Sequence, residues 1–212
     1  ILNVLDNFRQ KKIINLFKKK FSNPIILIDV GAHYGETIKI FQKNFKFKKI
    51  YSFEASPLNF KVLKKNISNH LSNIEIYNYG LGANSSDSFI NQTGESSSST
   101  VNEINRNSNY FAKKLKILNV KNHNLFIKKI PIQIITLDNF IDKKKIQNVD
   151  ILKIDTEGFE FNVLKGLKIN HKKIKLIYFE HHYDDMIIKN YKFSEINTIL
   201  KKYGFKKVYK SK

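Results

Sequence analysis

Acidic side chains stand at the ends of four separate apolar runs in this 212-residue chain: Asp29, Glu54, Asp155 with Glu157, and Glu180 followed by His181 and His182. Such groups can take a proton from an oxygen nucleophile, which is almost fully protonated at neutral pH. Asp155, Glu157, His181 and His182 are therefore the candidate catalytic residues. Two carboxylates with a histidine could also hold a divalent cation, and oxygen ligands alone would suit Mg²⁺; the residues leave open whether a metal is required. A single carboxylate at a strand end often only caps the next helix. Four point to one crevice, because ligands of an open parallel sheet bind outside the carboxyl ends of its strands, where strand order reverses. The plainer alternatives are that either histidine is a satisfied core residue and that Glu180 is a fixed partner for a backbone N–H or a lysine. Glu160 is expected to face solvent.

The first apolar run leads into DVGAHYGET, Asp29 to Thr37. Gly31 can take the positive φ of a tight turn, and Gly35 lets the next helix approach while leaving backbone N–H groups facing a ligand. The Gly-x-x-x-Gly spacing lacks the Gly-x-Gly-x-x-Gly pattern that seats a dinucleotide pyrophosphate. It suits a ligand without phosphate, such as S-adenosylmethionine, and argues against a nicotinamide dehydrogenase. Glu54 closes the second run about 20 residues later, where an acidic side chain accepts the hydroxyls of a ribose.

These residues need strands and helices to position them. Strands are expected at Ile25 to Asp29, Lys49 to Glu54, Ile74 to Tyr79, Asp150 to Asp155, Ile174 to Glu180 and Phe205 to Tyr209. Helices with apolar residues at three- and four-residue intervals are expected at Thr37 to Phe45, Pro57 to Asn69, Phe159 to Leu167 and Phe193 to Tyr203. The alternation is that of βαβ units and a parallel sheet. Residues 84–129 break the rhythm and read as an insertion after the third strand, with a serine run at Ser96 to Ser99, a helix at Tyr110 to Leu118 and a returning strand at Phe126 to Ile135. Acceptor recognition is expected in its polar part, Asn84 to His123, since loops at strand ends carry specificity on a shared scaffold. Residues 1–24 read as a basic amphipathic helical segment packing on a domain over 25–212 rather than on anionic lipid.

Length and composition fit one α/β domain with a sizeable core. The absence of cysteine removes disulfides, thiolate nucleophiles and thiolate zinc sites, and with them pyrimidine C5 methylation, which needs a cysteine. No run approaches the roughly 20 apolar residues of a spanning helix and no leader pattern is present, so the expectation is a cytoplasmic protein without a transmembrane segment. The chain opens on Ile1 rather than Met, which leaves a longer product open. The net charge of +20 would suit a nucleic-acid binder, but its lysines are scattered in twos and threes as solvated faces are. Nucleic acid is therefore not the expected partner, and the sequence assigns no oligomeric state.

The stretch VDILKIDTEGFEFNVLKG, Val149 to Gly166, together with DVGAHYG, FEASP, GLGANSS, ITLDNF and IYFEHH in that order, resembles the FkbM family of methyltransferases from about Ile25 to His182. The resemblance implies a class I, Rossmann-like methyltransferase fold, a mostly parallel sheet flanked by helices. It also implies S-adenosylmethionine as cofactor and a hydroxyl of a sugar or other small metabolite as methyl acceptor. Carried over by position, Asp29, Gly31, His33 and Gly35 would line the methionine end, Glu54 the ribose and Gly82 the adenine, while Asp155 and Glu157 would border the methyl-transfer site. The family more usually has Asn where His33 stands and Pro where Ala55 stands. The alternatives are an RNA-binding or RNA-modifying methyltransferase and a non-catalytic S-adenosylmethionine-binding scaffold. Against the first, the strand before Asp155-Thr156-Glu157 lacks the Asn/Asp-Pro-Pro-aromatic turn that grips a flipped base.

Overall fold

The computed structural model describes residues 2–21, 24–67, 72–122, 126–181 and 183–210, with side chains of the first helix from residue 10 onward. In chain order the elements are α1 (Leu2–Lys20), β1 (Ile25–Val30), α2 (Glu36–Gln42), β2 (Phe47–Phe53), α3 (Pro57–Ile67), β3 (Ile74–Tyr77), β4 (Gly80–Leu81), β5 (Ser86–Thr93), α4 (Asn109–Ile117) and β6 (Ile127–Ile135). There follow α5 (Leu137–Lys143), β7 (Val149–Ile154), α6 (Glu160–Lys165), a 3₁₀ turn (Asn170–Lys173), β8 (Ile174–Phe179) and α7 (Phe193–Lys202).

Five strands form a wholly parallel sheet in the order β3-β2-β1-β7-β8. The chain builds outward from β1 through β2 to β3, then returns to β1's other side with β7, so strand order reverses between β1 and β7. Both faces are covered, which is why the central strands read as continuous apolar runs. Period-two alternation divides them. Leu27 and Ile151 enter a core with Ile13, Ile14 and Phe17 of α1, Ile38 and Phe41 of α2 and Leu63 of α3. Ile28 and Leu152 enter the opposite core with Leu137 and Phe140 of α5, Val163 and Leu164 of α6 and Ile196 of α7.

The insertion holds a strand that its polarity hides. β5, Ser-Asp-Ser-Phe-Ile-Asn-Gln-Thr, pairs antiparallel with β6 over its whole length, and β4 pairs parallel with β6 on the other side. β5 buries Asn91, Gln92 and Thr93 rather than a row of aliphatics. The hydrogen-bonding capacity of these side chains is met internally: Asn91 donates to the Asn102 carbonyl (2.8 Å) and the Ser56 hydroxyl donates to Gln92 (2.5 Å). One expectation is corrected here: residues 205–209 form no strand, pairing with none of the described strands. Residues 137–143, on which the sequence reading places no element, form α5, capped by Thr136. Asp138 in the ITLDNF motif accepts the backbone N–H groups of Lys168, Ile169 and Asn170 and so fixes the turn after α6.

Glu160 is a second correction. It is fully buried, not solvated. One of its oxygens accepts the backbone N–H of Thr156 (3.2 Å) and of Gly158 (2.9 Å) and the Thr156 hydroxyl (3.1 Å), and the other accepts the Tyr191 hydroxyl (2.8 Å). A carboxylate in the first turn of a helix ordinarily complements the dipole from the surface; here the same position serves as an internal clamp on the turn between β7 and α6. That turn needs one, since Glu157 and Gly158 both carry positive φ, 51° and 93°. Glu160→Ala leaves the Thr156 and Gly158 N–H groups without that acceptor and the Tyr191 hydroxyl with only the Gly158 carbonyl, and should cost about 1–3 kcal/mol of stability in chemical denaturation. Behind the turn, a Cβ on Gly166 would stand 2.1 Å from the Gly82 carbonyl oxygen. Gly166→Ala should therefore lower stability by about 1–3 kcal/mol through overpacking, read in the same assay.

Candidate active site

The reversal of strand order opens a crevice that is accessible to solvent. It is lined by the residues that leave β1 (Val30, Gly31, His33), β2 (Phe53, Glu54, Ala55) and β7 (Asp155, Thr156, Glu157), by Asn59 of α3, and by Ser96, Ser97, Ser99, Thr100 and Val101 of the insertion. Tyr79, Gly80, Leu81, Ile90 and Phe159 complete it. Of the residues singled out from sequence, Gly31, His33, Glu54, Asp155 and Glu157 come together here.

The remainder stand elsewhere. Asp29 is fully buried beneath the crevice, accepting the Ser52 hydroxyl (3.0 Å) and lying 3.4 Å from the Lys153 ammonium. Gly35, at φ 92°, precedes α2 with its missing side chain toward Leu63 and Ile67, so it serves helix packing. Gly82 lies against Ile134 and Phe159. The His181 ring sits among Tyr183, Tyr191 and Phe193, with centroids at 4.7, 6.1 and 5.0 Å, and is not part of the crevice lining. His182 lies outside the described residues. Among the described residues no three His, Asp or Glu side chains gather as a set that could hold a metal ion.

Gly31 is required on two counts. Its φ is 82°, and a Cβ would meet the Asp155 carbonyl oxygen at 1.7 Å. The two central strands thus part at a point where only hydrogen fits. Glu54 is nearly buried; its two oxygens accept the backbone N–H of His33 (2.8 Å) and of Ser56 (2.9 Å). Burial pushes its carboxyl up to about 7, the two N–H groups and the nearby His33 opposing only in part. Each oxygen keeps further lone-pair capacity for a ligand hydroxyl. Sequence alternation would send Asp155 and Glu157 to one side of an extended segment, but the left-handed backbone of Glu157 ends that alternation, and both reach the crevice from a turn.

The insertion contributes a strap that sequence reading did not resolve into residues. Ser96 Oγ is 2.8 Å from His33 Nε2 and 2.8 Å from the Tyr34 hydroxyl, tying one end to the glycine loop. At the other end the Thr100 hydroxyl donates to the Glu157 carbonyl (2.7 Å) and the Asn102 amide to the Gly158 carbonyl (2.7 Å). Of the five non-glycine residues with positive φ among the described residues, His33, Ser96 and Glu157 all line this crevice. Strained backbone of this kind costs of order 1–3 kcal/mol per residue and gathers at functional sites. A run of small hydroxyl residues beside otherwise apolar elements was the signal for this wall.

Residues 29–207 match the model of the methyltransferase FkbM domain. The fold also aligns with three solved structures. One is a methyltransferase FkbM of Methylobacillus flagellatus, 19% identical with a TM-score of 0.43, over 72% of this chain and 30% of that one. A precorrin-6y C5,15-methyltransferase of Geobacter metallireducens is 9% identical with a TM-score of 0.45, over 91% and 71% of the two chains. A ribosomal protein L11 methylase of Lactobacillus delbrueckii subsp. bulgaricus is 10% identical with a TM-score of 0.42, over 92% and 68%. The chain thus spans about a third of the length of the Methylobacillus protein. Among curated proteins none matches it significantly. With a domain match over residues 29–207, well over half of its length, the chain belongs to the FkbM methyltransferase family.

Proposed function

We propose that the chain is an S-adenosylmethionine-dependent methyltransferase that methylates a hydroxyl oxygen of a sugar or other small molecule. The observation that carries this reading is Glu54: a nearly buried carboxylate at the end of β2, held by two backbone N–H groups, bordering a crevice at the reversal of strand order. Such a group suits the two hydroxyls of a ribose. The glycine loop fits the same cofactor, because the space beside Gly31 is closed to any side chain and its backbone can face a ligand.

S-adenosylmethionine supplies, when bound, a methyl group on a positively charged sulfur. The work left to the protein is to hold an acceptor oxygen in line with that methyl and to take its proton, and alignment alone accounts for much of the rate in such reactions. In this reading Gly31 and His33 border the methionine end and Glu54 takes the ribose hydroxyls. Asp155 faces the cofactor, and Glu157, on the same turn, accepts the proton of the acceptor hydroxyl. Asp29 acts from beneath, through Lys153. Gly35 and Gly82 belong to the packing that shapes the site, and His181 serves the aromatic cluster that carries Tyr191 to Glu160. The strap, whose Ser96, Ser97, Ser99 and Thr100 border the crevice, supports a polar acceptor. A cytoplasmic setting accords with the absence, among the described residues, of a helix long and apolar enough to cross a membrane.

Binding of S-adenosylhomocysteine, followed by calorimetry, tests this reading. Glu54→Ala should weaken it by about 1.5–3 kcal/mol, the worth of charge-assisted hydrogen bonds. Affinity should also depend on pH in the wild type. Ribose hydroxyls favour the ionised carboxylate, whose free form is held up to about 7 by burial. Binding should therefore be full above that value and weaken as pH falls through it, approaching about tenfold per pH unit below it. Glu54→Gln should flatten that dependence. Unchanged affinity in a folded Glu54→Ala protein would remove the ribose assignment.

A further inference from the structure

Lys153 is a lysine on the central strand β7, and its side chain is only 7% exposed. Its neighbours of the same parity, Ile151 and Val149, are apolar, and an aliphatic residue there would complete the core at no electrostatic cost. Burying an ammonium costs several kcal/mol unless every proton is matched and charge is compensated. The surroundings supply that compensation: its Nζ donates to the Gly31 carbonyl oxygen (3.3 Å) and forms ion pairs with Asp155 Oδ2 (3.2 Å) and Asp29 Oδ1 (3.4 Å). Burial works to lower this ammonium, and the Asp155 and Asp29 carboxylates outweigh it, holding Lys153 above its usual range. It is thus held protonated and is not a base.

The two carboxyls around it differ. Asp29 is wholly buried, and burial raises its carboxyl, the Lys153 ammonium and the Ser52 hydroxyl opposing only in part; the Asp155 side chain is 29% exposed and borders the crevice. Asp155 is therefore the partner that presents an oxygen at the open end. We propose that Lys153 is a positioning residue: by holding one oxygen of Asp155 from below, it fixes the other as the anchor for a cationic part of the ligand. On the reading given above, which this inference rests on, that part is the sulfonium of S-adenosylmethionine.

The test compares S-adenosylmethionine, which carries that charge, with S-adenosylhomocysteine, which does not, by calorimetry on the wild type, K153M, D155N and the double variant. If Lys153 acts through Asp155, each single substitution weakens S-adenosylmethionine binding about tenfold or more, S-adenosylhomocysteine binding changes less than about threefold, and K153M adds less than about twofold in the D155N background, because residues of one network are not additive. A merely structural lysine would weaken both ligands alike, or add its full effect to that of D155N, and either result overturns the proposal. K153Q, which keeps a donor and drops the charge, takes the place of K153M in the cycle if the latter does not fold; failure of both to fold assigns Lys153 to the core alone and overturns it too. A folded wild type that binds neither ligand refutes the methyltransferase reading itself, and the proposal with it.

Discussion

Between Gly31 and the carbonyl oxygen of Asp155 there is room for a hydrogen atom and nothing larger. This approach joins the ends of the two strands where chain order reverses, and the rest of the site depends on it. Gly31 and Ala32 both donate their N–H to the Phe53 carbonyl on one side, while Asp155 donates to the Val30 carbonyl on the other. The three strand ends are thereby locked in a common plane before their loops diverge. Glu54, one residue past Phe53, and Glu157, two past Asp155, inherit their positions from this lock. A wider gap would let the β1 and β7 loops move independently, and a carboxylate on each could no longer be held in register across the crevice.

Beneath that lock the sheet tolerates polarity that it excludes elsewhere. Register sets Ser52, Asp29, Lys153 and Tyr178 side by side across β2, β1, β7 and β8. The row is the last layer before the carboxyl ends. The next layer of the same parity inward, Ile50, Leu27, Ile151 and Leu176, is aliphatic throughout. Polar groups buried in such a position need partners, and here the partners are one another, on adjacent strands whose spacing is fixed by the backbone ladder. The row therefore transmits the geometry of the sheet directly to the crevice floor without a flexible loop between. The clamp by Glu160 does the same for the β7 turn from the other side of the strand, and Tyr191 extends it toward the aromatic cluster around His181.

The sequence made the parallel sheet legible because each of its five strands is a short apolar run, and the helices because their apolar residues recur at helical spacing. Gly31, Glu54, Asp155 and Glu157 were legible for a related reason: position at a strand end is a one-dimensional signal. What escaped depends on pairing across long separations. β5 looks like loop, since its buried Asn91, Gln92 and Thr93 are satisfied by partners such as Asn102, Ser56 and Ser99 that no local pattern reveals. Conversely, the β-branched and aromatic residues of 205–209 signal a strand, but strand formation needs a neighbour, and β8 has none on that side. Glu160 reads as surface because charge usually does, and its burial follows only from the left-handed turn before it. Lys153 offered a signal in being the one charge inside VDILKI after Asp150, but its meaning required seeing Asp29 across the ladder.

The two walls of the crevice differ in how they are held, and this bears on what each can be asked to do. The wall made by β1, β2 and β7 is an outgrowth of the ladder, its groups fixed by backbone hydrogen bonds inside a packed core. The strap at 96–102 is held by side chains, Ser96 to the His33 and Tyr34 side chains and Thr100 to the Glu157 carbonyl, and by a single backbone bridge from Thr100 to Asn91 of β5. Ser97 and Val101 can be exchanged for other small side chains without removing a hydrogen bond to a strand, whereas no residue of the ladder wall can change size without moving the sheet. A cofactor common to many reactions is best met by the first kind of wall and an acceptor particular to one by the second. On the proposed reading, Glu54 and Asp155 fix where the methyl group must be, and Ser97, Ser99 and Val101 decide which oxygen is brought to it.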